Sequence, residues 1–196
     1  MKICVASCLH NFCIHAVKLL MKKLSLYLSA LLLTVMVSCG PTSGLPKAQV
    51  NALLSSGEFT FMAERANPTN YDVVNVMNSF PNSSSSRMLT LDYGYTVQIK
   101  KSEVKVELPY FGRSFTPSYD TTKSSYRFTS KDFNISQREG KKGSVVYTIL
   151  PNDQPNVQKI TVEVYPQGKA YVAVSSNDRQ GISYDGYIMA NEQAKK

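Results

Sequence analysis

Apolar and polar residues alternate with a period of two along most of the chain beyond residue 57. Val104, Val106 and Leu108, for example, alternate with charged residues. Alternation of this kind predicts β-strands that bury one face. Similar runs occur at Phe59–Ala63, Tyr93–Ile99, Tyr126–Phe128, Phe133–Ile135, Val145–Ile149, Ile160–Val164, Ala170–Val174 and Ile182–Tyr184.

Turn-forming residues separate many of these runs, at 100–102, 140–143, 165–168 and 177–181. Helical spacing does not return between the runs, so we expect hairpins rather than crossover helices. The pattern predicts an all-β antiparallel meander of about eight to ten strands. Such a sheet must hide its apolar face by closing as a lipocalin-like barrel or folding as a sandwich, and the pattern favours the barrel without excluding the sandwich.

Three segments depart from this alternation of apolar and polar residues. Residues 46–56 predict one short N-terminal helix, because Pro46 suits a first helical position and Gly57 suits a terminator. Residues 67–88 contain two prolines and a serine run, which predicts a long loop with one strand at Val73–Met77. Residues 109–125 predict a second loop.

The N-terminal region is typical of an export signal. Met21-Lys22-Lys23 is followed by the mostly apolar run Leu24–Val37 and then by Ser38-Cys39. The run would span about 21 Å as a helix, less than the roughly 30 Å of a bilayer core. We therefore expect residues 1–38 to be a signal peptide, with residues 1–20 upstream of the true start at Met21.

Ser38-Cys39 resembles the lipobox of bacterial lipoproteins, which implies that Cys39 is lipidated and anchors the protein to a membrane. Residues 39–46 would then be a lipidated tether, 47–190 a single β domain and 191–196 a polar tail. The tether lacks the acidic cluster that resembles a surface-export tag of Bacteroidota lipoproteins. We expect the protein to face the periplasm from the inner leaflet of the outer membrane.

Charge and residue usage exclude several functions. The chain has a formal charge of +8, but four of its 22 basic residues precede Cys39, and the remaining 18 against 14 acidic residues leave +4. These charges are interleaved, which argues against nucleic acid as a partner. Both histidines and every other cysteine also precede Cys39. We therefore expect no metal, no cofactor and no catalysis that requires histidine or cysteine.

The sequence Leu108-Pro109-Tyr110-Phe111-Gly112-Arg113 and the later Pro117-Ser118-Tyr119 resemble a signature of a Bacteroidota lipoprotein family, that of the domain of unknown function 4251. Further similarity lies at Phe59–Ala63, Gly168–Ala170, Arg179 and Ile182–Gly186, and it extends over roughly residues 47–190. The resemblance implies a lineage and a lipoprotein context. It implies no activity, substrate or catalytic residue.

Aromatic and arginine residues near the predicted barrel mouth form the candidate ligand-binding set. Arginines bind anionic groups, and aromatic rings stack on flat ligands such as sugars. The alternative is structural: the aromatic segment ends a strand and caps the core, and the arginines satisfy backbone carbonyls or pair with Asp185 or Glu107. The set comprises Tyr110, Phe111, Arg113, Tyr119, Arg179 and Tyr184.

These observations favour a non-enzymatic module that binds a small molecule, a glycan or an envelope protein. One alternative is a hydrolase of glycans or peptidoglycan that uses two carboxylates, and another is a purely structural envelope protein. The candidate carboxylates are Glu103, Glu107, Asp120, Asp132 and Asp185. Asp120-Thr121-Thr122 also resembles the acceptor of Bacteroidota O-glycosylation, which makes Thr121 a candidate modification site.

Overall fold

The alternating runs form the strands of a computed structural model of the chain, except that the strand predicted at Tyr93–Ile99 begins only at Thr96 and leaves Tyr93 and Tyr95 outside it. The structure describes residues 22–23, 45–81, 84–115 and 125–191. Three α-helices are described after residue 44: α1 (Lys47–Ser56), α2 (Tyr71–Ser79) and α3 (Ser85–Met88). The described strands are β1 (Phe59–Pro68), β2 (Thr96–Ile99), β3 (Val104–Pro109), β4 (Ser125–Ser130), β5 (Phe133–Glu139), β6 (Val145–Pro151), β7 (Val157–Val164), β8 (Lys169–Ser176) and β9 (Ile182–Met189).

These nine strands form one antiparallel sheet in the order β4-β3-β2-β1-β9-β8-β7-β6-β5. Strand β1 pairs with β2 on one side and with β9 on the other, which joins the two ends of the meander. The sheet curls into a nearly closed barrel whose opening lies between β4 and β5. The prediction of an antiparallel meander is confirmed, and a continuous barrel-like sheet is found rather than two stacked sheets.

The inward faces of the strands fill the barrel with side chains. Val104, Val106 and Leu108 of β3 are at most 1% exposed, as the alternation predicts. The bulkiest fully buried side chains include Tyr184 and the two phenylalanines of β1, Phe59 and Phe61. Because these large residues occupy the core, the barrel interior is packed.

Helix α1 packs against the barrel core, and its position agrees with the prediction from sequence. The helix ends at Ser56, and Gly57 follows with φ of 67°, a conformation that glycine adopts without strain. Val50 is fully buried. The hydroxyl of Tyr147 in β6 donates a 3.0 Å hydrogen bond to the carbonyl oxygen of Leu54. Both contacts fix the helix against the sheet.

The predicted strand at Val73–Met77 is wrong, because this segment lies within helix α2. The side chain of Asn70 caps the helix by accepting a hydrogen bond from the backbone N–H of Asp72. Val73 and Met77 are spaced by four residues and pack against the core. Helix α3 follows, so the expectation of one short helix is also corrected.

Strand β5 is more exposed than its apolar residues predict. Ile135 is 45% exposed and Phe133 is half-buried. The strand pairs with β6 on one side and has no ladder with β4 on the other. The apolar residues of β5 therefore lie at the opening of the barrel, where no neighbouring strand among those described covers them.

The turn between β4 and β5 is held by the turn between β6 and β7. The carboxylate of Asp153 accepts hydrogen bonds from the Ser130 hydroxyl, at 2.6 Å, and from the Lys131 backbone N–H, at 2.9 Å. These bonds, that from Ser130 foremost, hold the pKa of Asp153 below its ordinary value. Asp153 thus fastens the turn that connects the two edge strands, β4 and β5, to the β6–β7 turn.

The chain divides into two compact units, Met1–Ser43 and Gly44–Lys196. All nine strands and the three helices belong to the second unit. Among the described residues, no helix combines the length and the hydrophobicity that crossing a bilayer requires.

Candidate functional site

The end of β3 and the turn between β8 and β9 meet at one mouth of the barrel. The hydroxyl of Tyr110 lies 2.9 Å from the carbonyl oxygen of Arg113 and 3.1 Å from that of Gln180, so it donates to this pair of acceptors. The backbone N–H of Gln180 donates to the Arg113 carbonyl at 3.1 Å. Ser114 and Arg179 form an antiparallel β-bridge. The segment after β3 is therefore fastened to the β8–β9 turn.

Arg179 lies between two aromatic rings. The carbon at the centre of its guanidinium group is 5.1 Å from the ring centroid of Tyr110 and 5.1 Å from that of Tyr126. Its Nη2 is 2.8 Å from Oδ2 of Asp178, and the Arg179 side chain is only 11% exposed. Burial, the largest single influence, lowers the pKa of Arg179, but the hydrogen bonds that the guanidinium donates to Asp178 and the negative charge of that carboxylate together raise the pKa overall.

Two further tyrosine hydroxyls form hydrogen bonds near the same mouth of the barrel. Tyr184 is fully buried and donates a 2.6 Å hydrogen bond to the carbonyl oxygen of Pro109. Tyr126 shares a 2.8 Å hydrogen bond with the hydroxyl of Ser176. Burial raises the pKa of Tyr126 to about 12 and raises that of Tyr184 further. Both groups remain neutral at physiological pH.

The structure brings three of the sequence-predicted binding residues together, namely Tyr110, Arg179 and Tyr184. Phe111 is half-buried and packs against the core, whereas the side chain of Arg113 is exposed. The remaining candidates, Tyr119 for binding, Thr121 for glycosylation and Cys39 for lipidation, lie outside the described residues.

The expected pairing of Arg179 with Asp185 or Glu107 is corrected, since its carboxylate partner is the adjacent Asp178. Asp185 instead accepts a 2.7 Å hydrogen bond from Asn67. Glu107 lies 3.3 Å from the ammonium group of Lys105.

A groove with a volume of about 570 Å³ opens beside this cluster. Two of its walls are aromatic side chains that are largely exposed: Tyr71, at 82%, and Phe115, at 60%. The Thr69 hydroxyl closes one end by donating a 2.7 Å hydrogen bond to the Gly181 carbonyl. The described lining residues are Thr69, Asn70, Tyr71, Phe115, Ser176, Arg179, Gln180 and Gly181.

Gln180 lines this groove and also carries a buried polar atom that is unsatisfied. Its side-chain oxygen, Oε1, is buried and has no hydrogen-bond partner in the described part of the chain. A buried acceptor without a donor costs about 1–3 kcal/mol. Groups of this kind in native proteins are associated with strain, function or a missing partner.

Sequence reasoning missed Tyr71, Phe115 and Gln180. The cap formed by Asn70 and Asp72 is a recognisable helix start, and it would have placed Tyr71 at the first turn of a helix. Phe115 does not belong to an alternating run, so the sequence pattern does not indicate a role for it. Its position follows from a long-range contact, the 2.8 Å hydrogen bond from its backbone N–H to the carbonyl of Asp178.

The candidate carboxylates of a hydrolase are dispersed, and each described one contacts a lysine or asparagine side chain. Glu103 pairs with Lys100 at 2.9 Å, and Asp132 accepts a 2.9 Å hydrogen bond from Asn152. Asp120 lies outside the described residues. The groove beside Arg179 has no carboxylate among its described lining residues. Within the described ranges, no group of three or more histidine, cysteine, aspartate or glutamate side chains is arranged to hold a metal ion.

Comparison with known proteins identifies a family without assigning an activity. The chain is similar to the crystal structure of a DUF4251 family protein from Bacteroides eggerthii DSM 20697, with 12% sequence identity and a TM-score of 0.44. That similarity covers 74% of this chain and 87% of the other. No curated protein matches the chain. The family model described as the domain of unknown function DUF4251 matches residues 44–188, so the chain belongs to this family.

Proposed function

We propose that the chain is a lipid-anchored, non-enzymatic binding module of a Bacteroidota cell envelope. It faces the periplasm from the inner leaflet of the outer membrane and holds its ligand in the groove between Tyr71 and Phe115. The observation that carries the binding role is this groove, in which two exposed rings lie beside an unsatisfied polar group of Gln180. The anchor rests on the signal-like residues 1–38 and on Cys39.

The groove has the features of a small-ligand site. Its volume lies within the roughly 300–1,000 Å³ that is usual for such sites, and it combines apolar walls with a few polar groups. Two aromatic rings in one groove offer contact area at a low entropic cost. Because large side chains fill the barrel interior, the proposal assigns the ligand to this mouth and not to the inside of the barrel.

The LPYFGR segment, residues 108–113, supports the groove in this proposal. Tyr110 binds the backbone of the β8–β9 turn, and its ring contacts Arg179. Arg179 in turn lines the groove. The segment therefore acts by positioning the groove floor, and Tyr71 and Phe115 act by touching the ligand.

Native mass spectrometry of the full chain, extracted from the membranes of a Bacteroidota host, tests this function. We expect a small molecule to copurify with the protein and to be lost from Tyr71→Ala and Phe115→Ala. Tyr93→Ala is the matched control, because Tyr93 is also exposed, at 73%, and lines a different groove. A bound mass that persists in both groove variants, or no bound mass in the wild type, would overturn the proposal.

A purely structural envelope protein is the second candidate, and the packed interior of the barrel favours it. The same experiment separates the two functions. A structural protein retains no ligand in the groove, and its variants at Tyr71 and Phe115 behave like the wild type.

A further inference from the structure

The groove beside Arg179 is nearly neutral despite the arginine in its floor. Arg179 is the one charged residue among its described lining residues, and Asp178 pairs with it at 2.8 Å. The guanidinium group also lies against the rings of Tyr110 and Tyr126. These partners hold Arg179 within the protein, so the groove has little net charge with which to select an anion.

The polar atoms of the groove require a ligand that both donates and accepts hydrogen bonds. The Thr69 hydroxyl donates a hydrogen bond to the Gly181 carbonyl, so its oxygen remains available to accept a hydrogen bond from a ligand. Asn70 uses its Oδ1 as the helix cap, which leaves its amide N–H groups to donate. Hydroxyl groups satisfy both requirements, because each one donates and accepts.

The walls of the groove require a ligand with flat apolar faces. Tyr71 and Phe115 expose most of their surfaces there. Aromatic rings stack on flat or apolar faces. A sugar ring has hydroxyls at its edge and C–H groups on its faces, so it matches the walls and the floor together.

An extended peptide matches this groove less well. Peptides that add to a sheet require a strand with an unpaired edge. Strand β9 adjoins the groove through Gly181 and is paired on both sides, with β1 and with β8. The groove therefore offers no backbone ladder to a peptide.

We infer that the groove binds a neutral carbohydrate, with sugar faces against Tyr71 and Phe115 and sugar hydroxyls on Thr69 and Asn70. This inference rests on the proposed binding function and specifies its ligand class. It assigns Arg179 to the support of the floor and gives it no role in recognising an anion.

An array that presents neutral oligosaccharides, acidic oligosaccharides and peptides tests the inference with the full chain in detergent. We expect binding to neutral oligosaccharides, with Tyr71→Ala and Phe115→Ala each weakening affinity about tenfold or more, as loss of a stacked ring does. Tyr93→Ala should bind like the wild type. Thermal unfolding of every variant should match the wild type, because these side chains are largely exposed.

The other outcomes separate the ligand class from the binding function. Binding to acidic oligosaccharides or to peptides that depends on Tyr71 overturns the neutral carbohydrate and leaves the groove as the site. Binding to neutral oligosaccharides that is unchanged in both groove variants overturns the groove itself. If no neutral oligosaccharide binds, the inferred ligand class is wrong. The copurification experiment then decides whether the groove has a binding function.

Discussion

The hydroxyl of Tyr184 donates a 2.6 Å hydrogen bond to the carbonyl oxygen of Pro109. Tyr184 belongs to β9 and Pro109 to β3, and the sheet places β1 and β2 between these two strands. The bond therefore connects strands that share no ladder. It holds the mouth of the barrel where the LPYFGR segment begins.

Tyr184→Phe should lower the free energy of unfolding by about 1–2 kcal/mol, because it removes one hydrogen bond and leaves the Pro109 carbonyl without this donor. Chemical denaturation monitored by circular dichroism measures the change. Tyr187→Phe is the matched control, since Tyr187 lies three residues away in β9 and is only half-buried. Equal stability of the two variants would contradict a role for the Tyr184 bond.

Gly186→Ala should prevent stable folding. An added Cβ would overlap the carbonyl oxygen of Met62 and lie 2.9 Å from its carbonyl carbon, so the β1–β9 ladder would have to shift. The loss should be about 3 kcal/mol or more, as expected for overpacking against backbone. Gly181→Ala is the control, because its Cβ would meet nothing closer than 3.5 Å. Soluble yield and melting temperature report the difference, and a normal melting temperature for Gly186→Ala would refute the close approach.

Asp153→Asn should weaken the dependence of stability on acid pH. The folded state lowers the pKa of Asp153 from its ordinary value of 3.8, because Ser130 and the Lys131 N–H donate to the carboxylate. The ionised group therefore stabilises the fold above about pH 4, and this contribution is lost as the pH falls through the lowered pKa.

Melting temperatures between pH 2 and pH 7 test this dependence. The wild type should lose more stability below about pH 4 than Asp153→Asn does. Asp92→Asn, a change at an exposed aspartate, should follow the wild type. If the loss of stability at acid pH is identical in Asp153→Asn and the wild type, Asp153 is not the source of that loss.

Cys39→Ala should abolish lipidation and release the protein from the membrane fraction, because two or three acyl chains are needed for stable anchoring. Metabolic labelling with an alkyne fatty acid measures the modification. Cys13→Ala should keep the label, since residue 13 falls within the proposed signal peptide. Label that persists in Cys39→Ala, or is absent from the wild type, would contradict the anchor.

The strands could be predicted from sequence because their burial follows local alternation. Val104, Val106 and Leu108 are buried as their spacing predicts. Helix α2 runs against local strand propensity, because Val73 and Val74 are β-branched residues that favour strands, whereas the capping side chain of Asn70 favours the helix. The exposure of Ile135 depends on where the barrel opens, which is a property of the whole sheet.

The candidate site was predicted only in part. The segment around Tyr110 and the turn with Arg179 were identified from their unusual composition, and the structure brings them together. The groove itself depends on Tyr71 and Phe115, which lie 44 positions apart and follow no shared pattern. The contacts of the β8–β9 turn with both segments bring these two rings to one groove.

The central claim is that the groove between Tyr71 and Phe115 holds the ligand. Replacement of Phe115 by a photo-crosslinking phenylalanine analogue in living cells, followed by intact-mass measurement, tests this claim most directly. We predict a covalent adduct of defined mass at position 115 and none when the same analogue replaces Tyr93. No adduct at position 115, or equal adducts at both positions, would contradict the account.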